Sequence, residues 1–119
     1  MAIHNELGKK GEELAIEYLI EKGYSIVEKN YRFLKAEVDI ITMKGNELIA
    51  VEVKTRTTAY YGNPQDFVNP KKINLLVSAI DNYVNQRDLD VEIRFDIVAI
   101  LKENNTYVIE HIENAFLYF

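Results

Sequence analysis

Asp39, Glu52 and Lys54 are the residues of this 119-residue chain whose types and spacing could do chemistry. Glu52 and Lys54 lie in Ile49-Ala50-Val51-Glu52-Val53-Lys54, which reads as a strand. Successive strand side chains alternate faces, so Val51 and Val53 share one side and Glu52 and Lys54 the other. Asp39 lies in Glu37-Val38-Asp39-Ile40-Ile41, and the turn signal Lys44-Gly45-Asn46 separates the two stretches. An antiparallel hairpin about that turn brings Asp39 close to Glu52 and Lys54. Phosphodiester hydrolysis needs an activated water and a site for the charge that builds on the phosphoryl oxygens, and a hard cation held by carboxylates supplies both. Mg²⁺ takes one or two protein carboxylates and keeps several waters. Asp39 and Glu52 suffice for it, with the main-chain carbonyl of Val53 as a further ligand and Mn²⁺ as a substitute ion. Lys54 would orient or deprotonate the attacking water and stabilise the transition-state anion. On spacing alone, the same residues read equally as an exposed Glu-x-Lys pair with Asp39 solvated opposite.

Elements that could position these groups follow from periodicity. Residues 6–22 read as an amphipathic helix between Asn5 as N-cap and Gly23 just past its end. Leu7, Gly11, Leu14, Ala15, Tyr18 and Lys22 fall on one stripe, and Glu12 lies at its edge. Glu12 is thus the acid of this helix that can approach the site, while Glu13 and Glu17 face water. Gly8 and Gly11 weaken the helix, so a close neighbour or ligand is expected there. Residues 24–33, 37–43 and 47–54 read as three strands, and residues 55–69 as a polar loop containing Tyr60 and Tyr61. Asn69-Pro70 opens a second helix as N-cap and first helical residue. Lys71 and Lys72 in its first turn oppose the helix dipole, which a bound phosphate would relieve. Residues 91–101 and 106–112 complete the strands around Asn104-Asn105. Arg94 and Asp96 read as a structural ion pair, and His4 and His111 as too isolated for a metal or catalytic role. The apolar tail from Ala115 to Phe119 should pack on the core or on a second subunit. The expected fold is α/β: a mixed central sheet of about five strands with two main helices, its second helix crossing to a parallel strand.

Composition bounds the function classes. Hydrophobic residues make up 48% and charged residues 28%, so one globular domain over residues 1–119 is expected. Cysteine is absent, which leaves oxygen ligands as the metal chemistry. No apolar run reaches roughly 18 residues and the N-terminus lacks a signal pattern, so a cytoplasmic protein without a membrane span is expected. The net charge of −5 argues against a general DNA binder but leaves room for a local basic surface. Arg32, Lys35, Arg56, Lys71 and Lys72 are the candidates to hold phosphates.

Gly8, Gly11-Glu12, Ala15, Tyr18-Leu19, Gly23-Tyr24, Asn30-Tyr31-Arg32, Glu37-Val38-Asp39-Ile40-Ile41 and Val51-Glu52-Val53-Lys54-Thr55-Arg56 together resemble the YraN-like family of small bacterial proteins. Tyr61-Gly62, Lys72 and Arg94-Phe95-Asp96 extend the likeness. That family is similar to the PD-(D/E)XK nucleases and to archaeal Holliday-junction resolvases. The resemblance implies a restriction-endonuclease-like fold, metal-binding acids at Asp39 and Glu52, the superfamily lysine at Lys54 and a helix acid at Glu12. Ala36 stands where the family commonly has Gly, and no proline precedes Asp39. The expected activity is Mg²⁺-dependent cleavage of branched or structured DNA, with RNA open as a substrate and a two-fold dimer needed to cut both strands. The alternative is a nucleic-acid-binding or partner-binding module that keeps the fold without turnover.

Overall fold

A computed structural model describes residues 2–57 and 69–116. Their order is α1 (Ala2–Glu21), β1 (Ser25–Phe33), β2 (Ala36–Lys44), β3 (Glu47–Arg56), α2 (Pro70–Gln86), β4 (Glu92–Glu103) and β5 (Thr106–Ile112). The strands form one five-stranded sheet in sequence order. All neighbours are antiparallel except β3 and β4, which are parallel and joined through α2. This is the mixed α/β sheet that the element order implied and the restriction-endonuclease-like topology that the resemblance implied.

Alternation along the central strands builds two cores. Ile41, Leu48, Ala50 and Phe95 pack with Leu76, Ala79, Ile80 and Tyr83 of α2. Ile40, Ile49, Val51, Val98 and Ile100 pack with Ala15 and Leu19 of α1. Each helix therefore covers one face, which is why β2 and β3 are apolar on both sides. Phe116 stacks on Phe95 with ring centroids 5.2 Å apart, so this part of the tail packs on the core.

Local signals set the helix ends. Asn69 caps α2 by accepting the Lys72 N–H, and Pro70 occupies the first turn. Gly23 ends α1 at φ +95°: its N–H donates to the Ile20 carbonyl and the Tyr24 N–H to the Leu19 carbonyl, a Schellman closure. Several boundaries shift by a residue or two from the sequence reading, and two of the differences bear on the site. Helix α1 starts at Ala2, so Asn5 lies inside it; nothing in Ala2-Ile3-His4 breaks a helix. Strand β3 continues through Thr55 and Arg56, because β4 extends far enough to pair with both. Tyr60 and Tyr61 lie outside the described residues. Among those described, no helix is long and apolar enough to cross a membrane.

Helix α1 approaches β3 most closely at Gly11. A Cβ there would stand 1.9 Å from Thr55 Oγ1 and 3.0 Å from Thr55 Cβ. Gly8, by contrast, faces open space. Gly11→Ala gains helix propensity, yet overpacking of this kind costs about 1–3 kcal/mol. A net loss of roughly 1 kcal/mol is expected in urea unfolding. Adding Thr55→Ala should recover part of it, and strict additivity of the two changes would show that the contact is not what limits Gly11.

Candidate active site

The β2–β3 ladder ends at the pair Ile40↔Val51. One step further would set Asp39 opposite Glu52, but the backbone pairing stops there. The Asp39 carboxylate takes over: its Oδ2 accepts the Val53 N–H at 2.8 Å. Beyond this point β2 stays with β1 and β3 stays with β4. The sheet therefore parts at the two acids, and an opening lies between the strands there.

Two clefts meet at this parting, and Asp39 and Glu52 line both. A cleft of ≈ 350 Å³ on the α2 side is edged by Lys35, Lys71, Lys72 and Asn69 over an apolar floor of Leu75 and Leu76. A cleft of ≈ 260 Å³ on the α1 side is lined by Gly8, Glu12, Val53, Lys54 and Thr55. Open space at Gly8 is thus part of the site, while Gly11 serves packing.

The electrostatics are those of two carboxylates with too little positive charge nearby. Burial, then the neighbouring Glu52 charge, push Asp39 up to about 7, against the Val53 N–H, which lowers it. Glu52 is 9% exposed. Its Oε2 is ion-paired with Lys72 Nζ from the first turn of α2. Its Oε1 is buried and has no hydrogen-bond partner among the described residues. A buried carboxylate oxygen without a partner is costly unless something fills the place. Burial, then the Arg56 and Lys72 charges, lower the Lys54 ammonium from its usual range. Burial, then Glu37, raise Glu12, which also feels Glu52. Among the described residues no group of three or more acids or histidines is gathered tightly enough to hold a metal unaided. An orphaned oxygen beside a second carboxylate still fits a hard divalent cation that completes its shell with water.

Asp39, Glu52 and Lys54 therefore come together as the spacing implied, and Glu12 lines one of the shared clefts without joining the pair. Lys35 and Lys71 edge the larger cleft. Lys72 departs from expectation in its partner, which is Glu52 in place of a free anion site. Arg32 is exposed and pairs with Glu37 at 3.3 Å on the neighbouring strands. Arg56 follows Lys54 along β3 and is half-buried.

A separate polar network fills the α1 face of β4. Arg94 donates twice to Asp96, both at 2.9 Å, and also to the Tyr24 hydroxyl at 2.7 Å. His111 Nε2 lies 2.7 Å from Asp96, while its Nδ1 lies 3.0 Å from the Tyr18 hydroxyl. Burial pushes the Asp96 carboxyl up, but the bonds with His111, Arg94 and the Asn114 N–H outweigh it and hold it below the usual range. The Arg94–Asp96 pair is thus structural, as read from the sequence. The reading of His111 as isolated missed its partner. The Asn104-Asn105 hairpin sets His111 opposite Val98, a diagonal from Asp96, so counting register from the turn would have found it.

The comparisons with known proteins agree with this frame. Residues 11–100 match the model of the "Uncharacterised protein family UPF0102". A UPF0102 protein of Christiangramia forsetii is 64% identical over 119 residues, covering 100% of both chains. One from Flavobacterium psychrophilum is 58% identical over the same length and coverage. One from Phocaeicola vulgatus is 48% identical over 116 residues, covering 98% of this chain and 96% of the other. A likeness of that extent, spanning both acids, the lysine and every element of the fold, makes this chain a member of the UPF0102 family.

Proposed function

We propose that this protein is a metal-dependent endonuclease that hydrolyses phosphodiester bonds in branched or structured DNA. The observation that carries the reading is the parting of β2 and β3 around Asp39 and Glu52, with an orphaned Glu52 oxygen inside it. Mg²⁺, or Mn²⁺ in its place, would be held by Asp39, Glu52 and the Val53 carbonyl, and would supply Lewis acidity and an activated water. Lys54, its proton held less tightly than usual, would orient that water or accept its proton. Glu12 would order water from the α1 side. Lys35, Lys71 and Lys72 would hold the phosphates entering the larger cleft, with Arg32 on β1 and Arg56 at the end of β3 as further contacts. Incubation with labelled junction, flap and duplex DNA in Mg²⁺ or Mn²⁺ tests the reading. Cleavage with a preference for branched substrates is expected, and no cleavage in either ion would count against it.

The second reading is a nucleic-acid-binding module without turnover. The Lys72–Glu52 ion pair favours it, because an amino group already neutralises the acid that a metal would need. The two readings part at Lys72→Met. The pair is open to solvent at Lys72 and buried at Glu52, and solvent screening at the lysine end holds its worth to about 1 kcal/mol, so Mn²⁺ affinity by calorimetry should rise roughly five- to tenfold if Lys72 holds the metal's place. Weaker DNA retention is expected on both readings, and unchanged metal binding would support the module instead.

A further inference from the structure

Among the described residues, five that are not glycine adopt a positive φ: Asn30, Leu34, Asp88, Asn104 and Asn114. Four are Asn or Asp, the types that tolerate the left-handed region. Leu34, at φ +56°, is the exception. It sits in the two-residue turn that follows the pair Phe33↔Ala36, where Asn or Gly would relieve the backbone. Its side chain gains nothing from burial to offset this. At 87% it is the most exposed large hydrophobic among the described residues, ahead of Ile20 at 56%. Folding alone gives no reason for a leucine here.

The surroundings of the tip supply one. Arg32 lies two residues before it, 78% exposed although paired with Glu37 across the hairpin, and Lys35 follows it on the edge of the cleft that holds Asp39 and Glu52. An apolar side chain between two cations, at the rim of an acid-lined cleft, is the arrangement by which proteins part stacked bases while holding the phosphates beside them. A single leucine at a hairpin tip offers far too little area for a stable protein interface, which needs roughly 800 Å² per partner. We propose that Leu34 is a wedge that enters the DNA at a branch point or unstacked step and sets the adjoining phosphate in the cleft. This rests on the nuclease reading and names what selects its substrate: the ease of unstacking, in place of base sequence.

The test uses the full chain in Ca²⁺, with a four-way junction carrying 2-aminopurine at the branch and a matched duplex. Binding of the unsubstituted protein should raise the 2-aminopurine fluorescence severalfold as the base unstacks. Leu34→Asn suits the left-handed turn and so should fold at least as well, with a melting temperature no lower. It should abolish the fluorescence rise and weaken junction binding about tenfold, bringing it near duplex affinity, with Mn²⁺ binding unaltered. Leu34→Met should retain the rise. An equal fluorescence rise with Leu34→Asn overturns the wedge while leaving the nuclease reading intact. Conversion of a dimer to a monomer by Leu34→Asn, seen in sedimentation, overturns it in favour of a contact between copies. Failure of the unsubstituted protein to bind either DNA removes the nuclease reading itself, and the wedge with it.

Discussion

Glu52→Gln is expected to lower metal-dependent cleavage by about 10³-fold or more in kcat, with little change in DNA affinity. The substitution keeps the shape of the side chain but replaces a carboxylate oxygen with an amide nitrogen. The buried Oε1, orphaned among the described residues, is the donor that a cation would take. An amide there presents hydrogens to the metal and repels it. Removing a negative charge that faces phosphates would, if anything, tighten binding, so the loss should fall on kcat. Lys54→Ala should act in the same direction. On the proposed mechanism both groups would serve one step, so the double variant should be no worse than the worse single one. Cleavage that survives both changes would place the chemistry elsewhere on the chain.

Asp39→Asn should make the protein more stable at neutral and higher pH. Burial and Glu52 raise the Asp39 carboxyl from 3.8 to about 7 in the folded state, whereas the unfolded chain ionises near the ordinary value. Between about pH 4 and pH 7 the folded form thus keeps a proton that the unfolded form has lost. Stability falls across that window as pH rises and is flat above it. The window corresponds to a cost on the order of 2–4 kcal/mol at pH 8, which a neutral amide avoids while still accepting the Val53 N–H. Urea midpoints of the two proteins should coincide near pH 4 and separate toward pH 8. Mg²⁺ or Mn²⁺ should narrow the gap by stabilising the unsubstituted protein, by up to about 2.7 kcal/mol at a hundredfold excess over Kd. A destabilised Asp39→Asn at pH 8 would make Asp39 a structural residue that caps the end of the ladder.

These expectations share one origin. Bringing Asp39 and Glu52 together without a compensating positive charge costs folding energy, and stability is commonly given up at functional sites. The contrast with the Asp96 network is instructive. There a buried acid meets a bidentate guanidinium, an imidazole and a backbone N–H, and its pKa is lowered. At Asp39 a comparable acid meets one backbone N–H and a second carboxylate, and its pKa is raised. The first acid is fully satisfied by its neighbours, whereas the second is not, and that difference is what the metal proposal builds on.

The sequence by itself determined the elements and the proximity of the main groups. Apolar periodicity, the Lys44-Gly45-Asn46 turn, the Asn69-Pro70 cap and Gly23 are local signals, and each acts through backbone geometry within a few residues. A hairpin fold of two strands likewise follows from its turn, which is why Asp39, Glu52 and Lys54 could be placed together. What only the tertiary structure decided is which groups touch across elements. That α1 and α2 lie on opposite faces, that the ladder parts after Ile40↔Val51, and that Lys72 reaches Glu52 depend on packing between segments far apart in the chain. So do the Thr55 contact at Gly11 and the His111–Asp96 bond. Residue type states what a side chain can do, while burial and neighbours set its charge and partner, and these arise only when the two helices close on the sheet.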